Sequence, residues 1–342
     1  MKIAFTLCSN NYFAQALVLA QSFSEYNPEF TFVVGLVDRK SDLIDYDQFD
    51  IKVIEVEEIE PDIHNLAFKY DIVELNTAVK PHFFLHFIKH FKAEQVFYLD
   101  PDICVYQSFG ELSEMLYESD ILLTPHILKP IKYDQKKPFE NDFLNYGIYN
   151  LGFLGIKRTM NTLHMLHWWK ERTYNMGYHR LEKGLFVDQL WMNLAPILFE
   201  SCNIITNPGY NMGPWNLHER NLQIKNNEYY VNKESKLYFY HFSNLSVSNG
   251  EIKIHSVFDR FSLENRTDLV SLYTDYVAML ESFNFFELKK IPCHYTLWRG
   301  EMMLQKQNED YRKLSAKNKM LRRVKNGIPV SLKNLVMNLI KA

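Results

Sequence analysis

The sequence predicts an α/β fold with a mostly parallel central sheet, helices on both faces and a helical, basic C-terminal tail. Two observations carry this prediction: short apolar stretches alternate with helical patterns, and residues 312–342 contain nine Lys or Arg and no Asp or Glu. Alternating strands and helices are typical of parallel sheets, because a parallel connection needs a crossover that a helix provides. With 47% hydrophobic residues, the 342-residue chain is long enough to bury a substantial core.

Composition and charge exclude several classes of protein. The formal net charge is −3, so the whole chain is not a general nucleic-acid binder. The four cysteines form no C-x-x-C pair, which argues against a zinc knuckle and fits a reducing compartment. The N-terminal apolar run is too short for a signal peptide, and no stretch reaches the roughly 18 apolar residues of a membrane span. The sequence therefore predicts a cytoplasmic protein.

Apolar stretches and helical spacing predict the elements in chain order. Strands are predicted at residues 2–7, 32–37, 51–56, 95–99, 120–124, 147–156 and 237–242. Helices are predicted at residues 12–26, 70–91 with an interruption near Pro81, 108–117, 159–174 and 269–283, and from residue 186 onward. Residues 125–145 and 207–220 are predicted to be irregular loops. We expect one domain at residues 1–290 and a tail at residues 291–342.

The most informative stretch is the end of the predicted strand at residues 95–99. Asp100 and Asp102 follow this apolar strand, and Pro101 between them stiffens the backbone. Open α/β sheets bind ligands beyond the carboxyl ends of their strands, and paired carboxylates suit a divalent cation that prefers oxygen ligands. The alternative is a solvated turn whose aspartates cap the next helix. Later motifs in the chain favour the metal site.

Four motifs follow one another along the chain: Asp100-Pro101-Asp102, Asn150-Leu151-Gly152, Asp188-Gln189 and His241. This order resembles the GT-A fold of nucleotide-sugar glycosyltransferases, specifically a bacterial, family-8-like branch, over roughly residues 1–280. The resemblance implies a Rossmann-like domain with a nucleotide-binding part at about residues 1–125 and an acceptor-side part at about 126–290. It implies a hexosyltransferase that uses a nucleotide-diphosphate sugar, with UDP-sugar favoured, and a glycan or lipid-linked acceptor in surface polysaccharide synthesis.

The resemblance also implies the metal ligands. Asp100, Asp102 and His241 are implied to hold Mn²⁺ or Mg²⁺ on the sugar diphosphate, where the cation stabilises the leaving group as a Lewis acid. An imidazole ligand leans the choice towards Mn²⁺. The alternative for His241 is a buried histidine at a strand end. The sequence departs from the family's pattern at two places that bear on the diphosphate-binding loop. Asn244 stands where related chains often have Gly, and a downstream Gly-x-x-Lys-Pro-Trp motif is missing.

Further residues are implied to bind the donor. Thr6, Asn11 and Tyr12 lie at the end of the first strand, where the base and ribose are implied to bind. Asp100 is implied to reach the metal or the ribose, and Asn150 and Gly152 to touch the donor sugar. Lys80 precedes the key strand, where a positive charge would offset the diphosphate. The alternative for Lys80 is a surface lysine whose stem lies along apolar surface.

The reacting centre and the acceptor side come later in the chain. Asp188 and Gln189 are implied to lie nearest the reacting carbon, and the alternative is that Asp188 caps a helix. Trp215 and His218, in the loop at residues 207–220, are implied to shape the acceptor side, because aromatic rings cover apolar sugar faces.

Two other function classes remain open from sequence. Some phosphatases use the first aspartate of an Asp-x-Asp pair as nucleophile, but their pattern expects Thr where Cys104 stands. A carbohydrate-binding protein without catalysis would account for the aromatic content, but it would not require the Asp pair and the histidine.

The tail has its own predicted partner. An amphipathic stripe follows its basic residues, formed by Leu332, Leu335, Val336, Leu339 and Ile340. Residues 1–311 carry twelve more acidic than basic side chains, so an anionic membrane would repel them. A basic amphipathic helix suits such a surface, and we expect peripheral association with the inner membrane face. The alternative is a helix packed on the body or on a partner.

Overall fold

The computed structural model of the chain describes residues 1–248 and 251–327. Its strands are β1 (Lys2–Cys8), β2 (Phe30–Leu36), β3 (Lys52–Glu55), β4 (Gln95–Leu99), β5 (Ile103–Val105), β6 (Ile121–Pro125), β7 (Tyr149–Lys157), β8 (His179–Arg180), β9 (Leu185–Phe186), β10 (Cys202–Ile204), β11 (Leu222–Lys225), β12 (Glu228–Val231), β13 (Ser235–Lys236), β14 (Phe239–His241), β15 (Ser246–Ser248) and β16 (Glu251–Lys253). Its α-helices are α1 (Phe13–Tyr26), α2 (Ile63–Lys69), α3 (Ile72–Ala78), α4 (Lys80–His90), α5 (Gly110–Glu118), α6 (Glu140–Tyr146), α7 (Met160–Met176), α8 (Ala195–Leu198), α9 (Val270–Ser282), α10 (Phe285–Leu288) and α11 (His294–Gly327). Short 3₁₀ helices lie at Asn10–Tyr12, Tyr46–Gln48, Val56–Glu58, Leu181–Lys183, Leu190–Leu194 and Thr267–Leu269.

A seven-stranded sheet forms the centre of the fold, in the order β10-β6-β7-β4-β1-β2-β3. Strand β7 runs antiparallel to both of its neighbours, whereas every other pair in this sheet is parallel. The predicted mostly parallel sheet is therefore confirmed. Because β1 and β4 are adjacent and parallel, the polar residues that follow them meet at one edge of the sheet.

Helices cover both faces of this sheet. Phe5 of β1 packs against aromatic residues of α4, with ring centroids 4.9 Å from Phe84 and 5.0 Å from Phe87. The next residue back, Ala4, lies in the cluster that contains Phe23 of α1. Successive side chains of a strand point to opposite faces, so α4 and α1 lie on opposite sides of the sheet. This confirms the two helical layers predicted from the sequence.

Two predictions of local structure are wrong. The helix predicted from residue 186 onward begins later and as a 3₁₀ helix: Val187 adopts a left-handed φ of 42°, the 3₁₀ helix spans Leu190–Leu194, and α8 (Ala195–Leu198) follows it directly. Residues 125–145 are not loop throughout, since α6 begins at Glu140. The Asp142 side chain accepts a hydrogen bond from the backbone N–H of Phe139, which helps to start this helix, but its seven residues leave little periodicity in the sequence.

Contacts within the chain separate one unit, Met1–Tyr295, from a second, Thr296–Ala342. Helix α11 runs across this boundary and continues to Gly327. Within the described residues, no helix combines the length and the apolar character that crossing a bilayer requires. The apolar stripe predicted at residues 332–340 lies outside the described residues.

Candidate active site

Strand pairing brings the predicted metal ligands together from distant parts of the sequence. Asp100 directly follows β4, and its backbone N–H donates to the carbonyl oxygen of Gly152 at 2.8 Å. Strand β14 pairs antiparallel with β5 in a register that sets His241 opposite Ile103, next to Asp102. The backbone N–H of Phe242 donates to the carbonyl oxygen of Asp102, which extends this pairing by one residue. The small β5–β14 pair thus positions the histidine.

The three side chains form what we call the acidic centre: Asp100, Asp102 and His241. His241 Nε2 lies 2.9 Å from Asp102 Oδ1 and 3.8 Å from Asp100 Oδ2. One ligand atom from each residue lies within 4.8 Å of the others, and among the described residues this is the group that could hold a metal ion. Burial disfavours a protonated His241, but Asp102 and Asp100 outweigh it and raise the pKa of the imidazole. Two carboxylates and one imidazole therefore fit a divalent cation such as Mn²⁺.

Gly152 leaves the space that the His241 ring occupies. A Cβ atom at this position would lie 2.4 Å from His241 Cε1 and 2.7 Å from both His241 Nδ1 and Asn150 Oδ1. Such distances are far inside van der Waals contact, so a larger residue would displace the imidazole. In the structure, the absence of a side chain at Gly152 leaves room for the imidazole of His241, whereas the resemblance implied contact between Gly152 and the donor sugar.

Lys80 is a buried cation that links the acidic centre to the predicted reacting centre. Its side chain is 5% exposed, and Nζ lies 3.0 Å from Asp188 Oδ2 and 3.4 Å from Asp100 Oδ1. Nζ also donates to the carbonyl oxygen of Leu151 and lies 4.4 Å from the ring centroid of Tyr98. Burial disfavours the ammonium, but the two carboxylates outweigh it and hold the pKa of Lys80 above its ordinary value. The alternative of a surface lysine is therefore wrong.

Asp188 and Gln189 lie beside Lys80 on the same cavity. Burial raises the pKa of Asp188, although Lys80 opposes this shift. Gln189 uses both ends of its amide: Oε1 accepts from the N–H of Leu151 at 2.8 Å, and Nε2 donates to the carbonyl oxygen of Tyr146 at 3.0 Å. Asp188 makes no helix-capping bond, since Gln189 occupies the N-cap of the following 3₁₀ helix.

The residue before this pair is strained. Val187 has a φ of 42°, which β-branched residues rarely adopt, and its N–H donates to the carbonyl oxygen of Tyr178. The indole Nε1 of Trp169 in turn donates to the carbonyl oxygen of Asp188 at 3.1 Å. Backbone strain of this kind persists where the surroundings enforce it, often at functional sites. The strained backbone therefore helps to set the directions in which the side chains of Asp188 and Gln189 point.

Two adjoining cavities contain most of the predicted site residues. The central cavity, of about 480 Å³, is lined by Lys80, Asp100, Asp102, Asn150, Gly152, Asp188, Gln189, Trp215 and His241 together with other side chains. The β1 cavity, of about 270 Å³, lies past the end of β1 and is lined by residues that include Asn11, Tyr12, Asn76, Lys80, Asp100 and Asp102. Because Lys80 and both aspartates line the two cavities, a ligand could occupy both at once.

Two predicted residues lie away from these cavities. Thr6 is fully buried inside β1, two residues before the strand ends, and lines neither cavity. His218 also lines neither cavity, and its Nε2 is 2.9 Å from the carbonyl oxygen of Lys129. The structure therefore places neither side chain on these two cavities, and their roles in donor and acceptor binding stay predictions.

Five aromatic side chains also line the central cavity. We call the set Phe143, Tyr146, Phe186, Trp215 and Phe258 the aromatic wall. Trp215 connects this wall to the acidic centre, because its ring packs edge-on against His241 with centroids 5.0 Å apart. Trp215 was predicted from the sequence, whereas the other four residues were not.

Two further polar residues near Asn150, His126 and Asn211, were not predicted from the sequence. The position of His126 at the end of a strand could have revealed it. His126 directly follows β6, stacks on Phe143 and lies 3.1 Å from Asn150 Nδ2, and burial lowers its pKa to about 4. Asn211 donates to Asn150 Oδ1 at 3.0 Å and thereby fixes that amide.

Asn244 lines the central cavity with a φ of 53°, a left-handed conformation that Asn tolerates better than most residues. The departure from Gly at this position is therefore compatible with the backbone.

Comparisons with known proteins give one related sequence and several similar structures. No family model matches the chain. The chain is 30% identical over 191 residues to the uncharacterized protein YfnF of Bacillus subtilis (strain 168), covering 55% of this chain and 60% of that protein. The chain thus spans about 60% of the length of this curated relative.

The similar solved structures include glycosyltransferases. A structure of the galactosyltransferase LgtC in complex with donor and acceptor sugar analogs covers 88% of this chain and 99% of its own, with 16% identity and a TM-score of 0.46. The glycosyltransferase GlyE of Streptococcus pneumoniae TIGR4 covers 85% of this chain and 65% of its own, with 14% identity and a TM-score of 0.45. Mouse xyloside xylosyltransferase 1 covers 70% of this chain and 97% of its own, with 12% identity and a TM-score of 0.40. Similarities this low do not identify the activity of this chain.

Proposed function

We propose that the chain is a metal-dependent glycosyltransferase that moves a sugar from a nucleotide-diphosphate donor to a hydroxyl group of a glycan or lipid-linked acceptor. The observation that carries this proposal is the convergence of the acidic centre with Asp188 and Gln189 on one cavity. Sugar transfer needs stabilisation of a departing diphosphate and of a positively polarised sugar carbon. The cavity offers groups suited to each task.

Asp100, Asp102 and His241 would hold the cation, with Mn²⁺ favoured over Mg²⁺. When bound there, a divalent cation supplies Lewis-acid stabilisation of the negative charge that develops on the diphosphate. Asp100 is fixed for this task because Tyr98 donates a hydrogen bond of 2.5 Å to its Oδ1. Lys80 adds a buried positive charge 3.4 Å from the same carboxylate oxygen.

Asp188 and Gln189 would act on the donor sugar. Asp188, oriented by Lys80, would accept a hydrogen bond from a sugar hydroxyl. Gln189 Oε1 keeps one lone pair after accepting from Leu151, and a carbonyl dipole held this way can stabilise positive charge at the reacting carbon. Because both ends of the amide are bonded to backbone, little reorganisation would be needed during the reaction.

The aromatic wall would bind the acceptor. Among the described residues that line the central cavity, Lys80 is the one lysine or arginine, and it is paired with carboxylates. An acceptor seated on this wall would therefore present an uncharged face with apolar C–H groups. All residues that line the β1 cavity lie between 7 and 102, whereas the aromatic wall lies between 143 and 258. This supports a nucleotide-binding part at about residues 1–125 and an acceptor-side part at about 126–290.

The resemblance in sequence alone implies that the nucleotide is uridine diphosphate and that the process is surface polysaccharide synthesis, and both stay proposals. Association of the tail, residues 291–342, with the inner membrane face also stays a prediction. Co-sedimentation of the whole chain and of a version ending before Arg312 with anionic and neutral vesicles tests it. Binding that ignores lipid charge, or that survives removal of the tail, would exclude this role.

A thermal-shift screen of nucleotide sugars with and without Mn²⁺ tests the proposed function. We expect stabilisation by at least one nucleotide sugar that depends on the cation, followed by release of the nucleoside diphosphate when an acceptor is added. Stabilisation by oligosaccharides alone would instead indicate a carbohydrate-binding protein. Release of inorganic phosphate without sugar transfer would indicate a phosphatase.

A further inference from the structure

A third cavity adjoins the candidate active site, and we call it the α10 cavity. It has a volume of about 260 Å³ and shares Asp102 with both the central cavity and the β1 cavity. Its polar lining consists of Asn11, Tyr12, Gln15, Asp102, Asn244, Tyr276 and Lys289. The cavity therefore opens beside a carboxylate that would hold the metal on the donor diphosphate.

The charges around the other two cavities are incomplete for an anionic donor. Their described lining residues include one lysine, Lys80, against the carboxylates of Asp100, Asp102 and Asp188. A divalent cation would bring this set to neutrality and leave the negative charge of the diphosphate without a protein partner. Lys80 is already shared between two carboxylates, and Lys253, the next lysine after His241 in the sequence, lines none of the three cavities.

Lys289 is positioned to provide this charge. It follows α10, and its backbone N–H donates to the carbonyl oxygen of Phe285 at 2.9 Å. The side chain is exposed, lies 5.2 Å from the ring centroid of Phe285 and makes no ion pair within the described part of the chain. The neighbouring Lys290 differs on each point, because its Nζ lies 2.7 Å from Glu287 Oε1 and it does not line the cavity.

A second observation points to a ligand in the α10 cavity. Tyr276 is 1% exposed, and its hydroxyl group has no hydrogen-bond partner among the described residues. Its ring is held by Phe242, with parallel planes and centroids 3.7 Å apart. A buried hydroxyl group without a partner costs free energy unless a ligand or water satisfies it. Beside a lysine, such a donor suits an anion.

We propose that Lys289 and Tyr276 bind the diphosphate of the donor and of the released nucleoside diphosphate. This inference rests on the proposed function, since it assigns two further side chains to the diphosphate of the donor. Lys289 would contribute charge and Tyr276 a hydrogen bond to a phosphoryl oxygen. The expected consequence is tighter binding of diphosphates without any direct role at the sugar carbon.

Calorimetric titration of UDP, GDP, ADP and dTDP into the Mn²⁺-loaded full chain tests this inference. With the tightest of these nucleotides, we expect Lys289→Gln to raise Kd about tenfold at low salt, and the difference to shrink as salt screens the charge. Lys289→Arg should restore most of the affinity, and Tyr276→Phe should weaken binding by a smaller factor. Lys290→Gln is the matched control and should bind as the parent chain does.

Two results would overturn the inference in different ways. If the parent chain and Lys289→Gln bind the nucleotide equally, or if Lys290→Gln is weakened as much, Lys289 does not contact the diphosphate although the proposed function stands. If the folded parent chain binds none of the four nucleotides, the proposed function fails and this inference fails with it.

Discussion

The acidic centre with its Lys80–Asp188 extension and the aromatic wall differ in how their side chains are fixed. On the charged side each group holds another: Lys80 bridges Asp100 and Asp188, and His241 contacts both aspartates. On the aromatic side the rings share apolar contacts, as Tyr146 does with Phe186 at a centroid distance of 4.9 Å. A network of buried charges depends on every member, whereas apolar packing tolerates substitution of similar volume. The two sides should therefore respond very differently to mutation.

The largest effect should come from the acidic centre. We expect Asp102→Ala to lower turnover at least about a thousandfold, because it removes a ligand for a cation that supplies several kcal/mol of transition-state stabilisation. An excess of chelator should have the same effect on the parent chain. The measurement is nucleoside diphosphate release, with circular dichroism to confirm that the variant is folded.

The exposed Asp42 provides the control, and Asp42→Ala should keep full activity. Unchanged turnover in folded Asp102→Ala, or in excess chelator, would exclude metal dependence.

The next effect should come from Gln189. We expect Gln189→Ala to lower kcat about a hundredfold while the donor Kd changes less than about threefold, because a group at the reacting carbon acts mainly in the transition state. Steady-state kinetics and donor titration separate the two quantities.

Asn193→Ala is the matched control for lost backbone support. Asn193 Oδ1 accepts from the N–H of Ile148 at 2.8 Å, yet Asn193 does not line the central cavity. Equal losses of kcat in the two variants would mean that Gln189 serves only as a structural clamp.

The charged side could be predicted from the sequence because a polar residue at the end of a short apolar stretch marks the end of a strand. Asp100 and His241 each stand at the end of a short apolar stretch, and the order of sheet strands then decides that these ends meet. Thr6 lies within β1 rather than beyond its end, so its side chain packs inside the protein, and its role in donor binding stays a prediction.

The aromatic side could not be predicted in this way. Phe143 and Phe258 lie outside the strands, on the short helix α6 and on an irregular segment, where no periodicity separates a cavity-lining ring from an ordinary core residue. They meet Trp215 only through contacts between segments far apart in the chain. Such long-range packing leaves no local signal in a single sequence.

A smaller effect than the loss of Gln189 is expected from Gly152→Ala. The added Cβ would lie 2.4 Å from His241 Cε1, so the imidazole must shift from its present position beside the two aspartates. We expect the Mn²⁺ affinity to fall about 10- to 100-fold, the range typical of disturbing groups that orient a metal ligand. Titration of Mn²⁺ measures this directly. Gly110→Ala is the control, because its nearest atom would be Ser108 Oγ at an ordinary 3.5 Å. An unchanged Mn²⁺ affinity in Gly152→Ala would remove His241 from the proposed ligands.

The smallest effect should come from the aromatic wall. Phe186 lines the central cavity and also contacts His179 edge-on, with centroids 4.9 Å apart. We expect Phe186→Ala to raise the acceptor KM about tenfold, equivalent to about 1.4 kcal/mol, since one ring of the wall is lost while the others remain. The donor Kd and the slow hydrolysis of the donor without acceptor should not change, because both depend on the charged side. His218→Ala should leave the acceptor KM unaltered, since His218 lies outside the cavity. A change in donor Kd on Phe186→Ala, or an equal effect of His218→Ala, would show that the two sides of the cavity do not divide donor from acceptor.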